Sequence, residues 1–196
     1  MKTLDEIMLE RKADKASSHH VKGHDYAKTY DKFFSRLRED PISIVEIGVG
    51  SGESIQGWLD YFHNGKVYGV DLVNNTNQWN TPGTQGRYTF QTGNQSDPRF
   101  WKRFTDSYGQ MDILVDDGSH MNDDVITNFG CMWNQVKSMY CIEDLGVCST
   151  PGTIFVHAGY PNHLDWLKDK MHDMNNGQNN IESIHFVREL AIITKK

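Results

Sequence analysis

Cysteine is scarce and unpaired in this sequence. Cys131, Cys141 and Cys148 are an odd number with no C-x-x-C spacing, which argues against a disulfide framework or a cysteine zinc cluster. Runs of positive charge are missing as well: 20 Lys and Arg stand against 26 Asp and Glu, for a net charge of -6. A nucleic-acid backbone needs a Lys/Arg footprint, so it is not an expected partner. No apolar run approaches the length of a membrane span, and Met1 to Arg11 lacks the apolar stretch of a signal peptide. With 37% hydrophobic residues and a mean hydropathy of -0.63, the expectation is a soluble, cytoplasmic protein that handles small molecules. No internal repeat or low-complexity segment divides the 196 residues, so a single domain over 1–196 is expected. Residues 1–40 would form a lead-in and an amphipathic capping helix.

What is present centres on Ile44-Val45-Glu46-Ile47-Gly48-Val49-Gly50-Ser51-Gly52-Glu53. A β-branched run breaks into glycines on alternate positions and continues at helical spacing through Ile55, Trp58 and Leu59, which reads as strand, tight turn, helix. Glycines there allow positive φ and let a ligand reach main-chain N–H groups, so Gly48, Val49, Gly50 and Gly52 are candidate ligand contacts. The third glycine of a dinucleotide turn would stand at position 53, which is Glu53, and no lysine of a phosphate loop follows. Glu46, on the strand before the turn, suits a cationic amine, and Asp71, ending the next strand Lys66–Asp71, suits a ribose diol. This pair resembles the S-adenosylmethionine (SAM) site of class I methyltransferases. A glycine-rich turn with a purely structural role is the alternative.

Along the chain, Asp25 reads as the N-cap of a helix through Tyr26, Tyr30, Phe33, Phe34 and Leu37 to Arg38, closed by Pro41. No apolar periodicity is read before it, and His19, His20 and His24 are taken as solvated rather than metal-binding. Residues 73–86 read as a polar loop, Arg87–Gln91 as a strand, and Asp97-Pro98 as the cap and first turn of a helix through Phe100, Trp101, Phe104 and Tyr108. Strand Met111–Asp116, a helix through Val125, Phe129, Met132 and Val136, and strand Ser138–Ile142 follow. Residues 146–160 are mostly loop, with Thr153–Val156 as an optional short strand. A helix through Leu164, Leu167, Met171 and Met174 precedes two strands, Ile181–Val187 and Leu190–Thr194, joined too tightly to be anything but antiparallel. The expected fold is therefore α/β: a Rossmann-like seven-stranded sheet, mostly parallel with an antiparallel C-terminal hairpin, and helices on both faces.

Two consecutive strands end in acid pairs, Asp116-Asp117 and Glu143-Asp144. Like charges gathered at one edge are costly unless a cation neutralises them, and a hard divalent ion such as Mg²⁺ takes a few carboxylates and fills its other positions with water and substrate oxygens. Asp117, Glu143 and Asp144 are the candidate ligands. His120, three residues past Asp117, is the candidate base. Singly, each residue has an ordinary reading: a helix cap, a salt bridge, a hydrogen-bonded loop histidine.

The runs Val115-Asp116-Asp117-Gly118-Ser119-His120 and Ile142-Glu143-Asp144-Leu145, with Gln95-Ser96-Asp97-Pro98 and the glycine turn, resemble the Mg²⁺-dependent sugar O-methyltransferases of macrolide pathways, mycinamicin and tylosin type, and the cephalosporin hydroxylase-like group. The resemblance implies metal binding by Asp117, Glu143 and Asp144, with His120 as the base. It also implies that Gln95 and Ser96 lie by the adenine and that the N-terminal segment folds over the cofactor; Asp116 joins the cofactor-binding set. The region between the fifth strand and the hairpin is short for this group. The expected activity is SAM-dependent, Mg²⁺-assisted methylation of a hydroxyl on a sugar or sugar-bearing small molecule. Another acceptor, or a SAM-binding accessory subunit, is the alternative, and a homo-oligomer is compatible with either.

Overall fold

The computed structural model describes residues 1–17, 24–75, 86–147 and 153–196. His19, His20, Cys148 and most of the expected loop 73–86 lie outside the described residues. Two compact units divide the chain, Met1–Thr92 and Gly93–Lys196.

The first unit contains α1 (Leu4–Arg11), α2 (Ala27–Phe34), β1 (Ser43–Ile47), α3 (Glu53–Tyr61), β2 (Lys66–Asp71) and β3 (Tyr88–Thr92). β1 and β2 run parallel with Ser43 opposite Lys66, and β2 and β3 run parallel with Val67 opposite Tyr88. Strands buried on both faces need apolar residues at successive positions, which is why Ile44-Val45 and Val67-Tyr68 do not alternate with polar ones. An aromatic cluster ties the helices together: Tyr30 stacks on Phe34 with centroids 5.0 Å apart and meets Trp58 edge-on at 5.6 Å. α1 packs tightly on α3, because a Cβ at Gly57 would stand 2.4 Å from the Met8 sulfur.

The second unit contains α4 (Pro98–Tyr108), β4 (Met111–Asp116), α5 (Asn122–Met132), β5 (Val136–Ile142), α6 (His163–Asn175), β6 (Ile181–Val187) and β7 (Leu190–Lys195). β4 and β5 are parallel; β7 is antiparallel to both β5 and β6. The seven strands form one sheet in the order β3-β2-β1-β4-β5-β7-β6, the mixed sheet expected from the sequence.

Several local readings are corrected. Helix α1 lies where no periodicity was read: Thr3 and Glu6 form a capping box, and Leu4, Ile7 and Met8 are buried at helical spacing. Asp25 does not cap α2. It has φ 62, and the N-cap is Tyr26 without a side-chain hydrogen bond. The helix also stops at Phe34 and tightens into a 3-10 turn over Ser35–Leu37. Helix α5 likewise ends at Met132 in a 3-10 turn, and β5 starts at Val136 rather than Ser138. Thr153–Val156 forms a turn, not a strand.

Candidate active site

In the first unit the turn after β1 has Gly48, Gly50 and Gly52 at φ 82, 54 and 82, a run of left-handed residues that side chains other than glycine's resist. Gly52 is the N-cap of α3 and provides no side-chain cap, so the first N–H groups of the helix are left to other acceptors. Asp71 ends β2 beneath the turn, where its Oδ2 accepts from Val49 N at 2.9 Å and Gly50 N at 3.1 Å and its Oδ1 from Leu72 N at 2.6 Å. A carboxylate offers about four lone-pair sites, which leaves room for a further donor such as a ribose hydroxyl. Glu46 is fully buried in β1: its Oε2 accepts from Ser54 Oγ at 2.9 Å and Trp58 Nε1 at 3.1 Å, and its Oε1 lies 3.2 Å from Lys15 Nζ. The cation facing Glu46 is thus the chain's own Lys15, 1% exposed, from the lead-in. Nothing in the sequence around Lys15 marks it as a buried charge.

In the second unit Asp117 and His120 leave β4 and Asp144 leaves β5, and the structure brings the three together. His120 Nε2 lies 4.0 Å from Asp117 Oδ1 and 3.6 Å from Asp144 Oδ2, and one ligand atom from each residue falls within 4.8 Å of the others. His120 and Asp144 both have left-handed backbones, φ 57 and 54. That region is uncommon outside glycine, and residues held there are typical of sites whose side chains must be aimed. Glu143, the third expected acid, is buried at 2% and stands outside this grouping, with its N–H donated to Asp116 O at 3.0 Å. Two half-buried carboxylates from neighbouring parallel strands suit a hard divalent cation. The imidazole, a poor ligand for Mg²⁺, suits proton transfer better than ligation.

A polar network supports this edge. Gln95 donates from Nε2 to Asp116 Oδ1 at 3.3 Å and accepts at Oε1 from Ser119 N at 2.9 Å, while Trp101 Nε1 holds its carbonyl at 2.8 Å. Asp116 is fully buried and also accepts from Asn128 Nδ2 at 2.7 Å and Tyr140 OH at 3.3 Å; burial pushes its carboxyl up to about 6 against the lowering pull of those donors. Ser96 and Ser119 both donate to Asp124, Ser119 at 2.6 Å. Asp124 and Asn128 escaped the sequence reading because a polar residue on a helix says nothing of which face it presents until packing sets it.

No family model matches the chain. Over 138 residues it is 33% identical to the demethylmacrocin O-methyltransferase of Streptomyces fradiae, an alignment covering 66% of this chain and 34% of that enzyme. Against the mycinamicin VI 2''-O-methyltransferase of Micromonospora griseorubida it is 32% identical over 138 residues, covering 66% of this chain and 33% of the relative. The solved MycE methyltransferase from the mycinamycin biosynthetic pathway, in complex with Mg, SAH and mycinamycin VI, superposes with a TM-score of 0.84 at 28% identity, covering 99% of this chain and 54% of that one. The chain resembles the macrolide sugar O-methyltransferases. It has the fold of the MycE methyltransferase, and the resemblance read from its motifs is borne out. The chain spans about a third of the length of these curated relatives. A methyltransferase of Podospora anserina, with a TM-score of 0.58 at 16% identity, shares the fold alone. Among the described residues, no helix is long and apolar enough to cross a membrane.

Proposed function

We propose that this chain is a SAM-dependent, Mg²⁺-assisted O-methyltransferase that methylates a hydroxyl of a sugar or sugar-bearing small molecule in the cytoplasm. The observation that carries the reading is the convergence of Asp117, His120 and Asp144 in a chain similar to sugar O-methyltransferases. Residues 1–196 act as one methyltransferase domain, supported by a structural likeness to MycE that covers 99% of the chain.

SAM supplies the methyl group, and the divalent ion supplies positive charge that makes a hydroxyl more acidic. Asp117 and Asp144 would hold the ion; Glu143, expected as a third ligand, is buried at 2% and stands outside their grouping. His120 takes the proton from the acceptor hydroxyl at Nε2, the nitrogen turned toward the two carboxylates. A vicinal diol is the favoured acceptor because two adjacent oxygens reach one ion together. The glycine turn, Gly48 to Gly52 with Val49, lets the cofactor approach the backbone closely while Asp71 holds the Val49 and Gly50 N–H groups, and the remaining acceptor site of Asp71 takes a ribose hydroxyl. Glu46 lies at the methionine end with its charge balanced by Lys15. Gln95 and Ser96 lie by the adenine, and Asp116 acts through Gln95, whose amide it holds.

Calorimetric titration tests the reading. SAM binds the wild type, and a separate Mg²⁺ heat disappears in Asp117→Ala while SAM binding remains. Absence of SAM binding by the wild type, with or without Mg²⁺, sinks the proposal.

A further inference from the structure

Asn122 opens α5 two residues after His120, and its side chain is fully buried. A buried amide is costly unless hydrogen-bonded, and here all of its side-chain hydrogen bonds among the described residues go to one segment. Its Nδ2 donates to the carbonyl oxygens of His157 at 3.3 Å, Tyr160 at 3.2 Å and Pro161 at 3.1 Å. Its Oδ1 accepts from His157 N at 2.7 Å, and its own N–H donates to Phe155 O at 3.0 Å. His157 Nδ1 also lies 2.8 Å from Asp123 Oδ2. The segment 153–161 has turns but no helix or strand, so its backbone groups need partners elsewhere, and Asn122 supplies them. Phe155 of this segment meets the His120 ring edge-on, with centroids 6.5 Å apart. Ile154 is 79% exposed and Tyr160 47%.

We propose that Asn122 is a positioning residue for the acceptor: it holds residues 153–161 beside His120, where Ile154 and Tyr160 meet the apolar part of the acceptor. The inference rests on the methyl-transfer reading above. It assigns acceptor affinity to a residue that touches neither cofactor nor the reacting oxygen. An anchored loop presents its side chains without the ordering cost that a loose one incurs on binding.

The test is steady-state methyl transfer at saturating SAM and Mg²⁺, with mycinamicin VI as the probe acceptor, on the wild type, Asn122→Ala, Asn122→Asp and Ile154→Ser. The KM for the probe rises about tenfold in both Asn122 variants while kcat stays within about threefold, since uniform binding is lost and not the chemical step. Asn122→Asp does no better than alanine, because a carboxylate faces three carbonyl oxygens in place of a donor. Hydrogen exchange speeds up in 153–161 in both, and the SAM Kd does not move. Ile154→Ser alters an exposed side chain that folding does not need, and raises KM alone. An unchanged KM in Ile154→Ser overturns the role even where the Asn122 variants fail to fold, and so does a loss confined to kcat. No SAM binding, or no turnover by the wild type, overturns the methyl-transfer reading and the acceptor role together; SAM binding and turnover with unchanged KM in every variant overturns the Asn122 role alone.

Discussion

Lys15 and Glu46 show how much one buried pair decides. Both are almost fully buried, 1% and 0% exposed. Removing one partner of such a pair leaves a charge stranded, at a cost of roughly 3–5 kcal/mol. Lys15→Met is therefore expected to lower the stability measured by denaturant unfolding by that order. Combining it with Glu46→Gln is expected to recover part of the loss, since the amide oxygen that replaces the carboxylate still accepts from Ser54 and Trp58. A double variant no more stable than the single one would show that the pair is not the cause. At His120 the consequence is chemical. His120→Ala is expected to lower kcat by about 10²–10⁴, the range for a lost general base, with SAM and Mg²⁺ heats intact in calorimetry. Loss of the Mg²⁺ heat in that variant would instead make His120 a ligand. The acids and the histidine were legible in the sequence because D-D-G-S-H and I-E-D-L are consecutive in the chain. Lys15 was not, because its partner lies 31 positions away and only packing makes them neighbours.

At the scale of elements, the site depends on turns leaving strands. Three glycines at positive φ shape the turn after β1, and two non-glycine residues at positive φ, His120 and Asp144, lie in the segments that leave β4 and β5. The glycines announced their turn, since glycine in alternation after a β-branched run has few other uses; the left-handed His120 and Asp144 gave no such sign. Gly118 is a different case: a Cβ there would stand 2.0 Å from Gln95 Oε1, the far end of a side chain that can move. Gly118→Ala is accordingly expected to displace Gln95 from Ser119 and Asp116, weakening SAM binding about tenfold while costing only about 1 kcal/mol of stability. Calorimetry and thermal melting on the same sample separate the two effects. Unaltered SAM affinity would remove Gln95 from the cofactor site. The capping box of α1 was readable in Thr3 and Glu6; the short helix it opens was missed because three buried residues, Leu4, Ile7 and Met8, are too few for a convincing period.

At the scale of the whole molecule, stability responds to pH through groups buried far from their usual range. His163 is fully buried, and burial pulls its imidazole down to about 4 from 6.5. The unfolded chain then binds a proton that the folded one refuses. Its contribution is present in full above pH 6.5 and is lost as pH falls toward 4, by up to about 3 kcal/mol. Asp116, pushed up to about 6, has the opposite sign: it favours the folded state as pH falls from 6 toward 4. The two partly cancel, so the clean observable is a difference. Between pH 6.5 and 4 the wild type is expected to lose more stability in urea unfolding than His163→Gln, and parallel profiles would show that His163 does not carry the effect.

The alternation of strands and helices, the parallel sheet with its closing hairpin, the glycine turn and the acid–histidine runs were all determined by the sequence. Each depends on residues close in the chain, where periodicity and backbone preference act directly. What only the tertiary structure decided is which polar groups meet across long separations. Lys15 balances Glu46, Asn128 and Tyr140 hold Asp116, Asn122 carries the backbone of 153–161, and Glu143 is buried while Asp144 turns to His120. The reason is physical: a local pattern determines that a side chain lies on a face, but the partner it finds there is determined by how whole elements pack, and a buried polar group accepts only the arrangement that satisfies it.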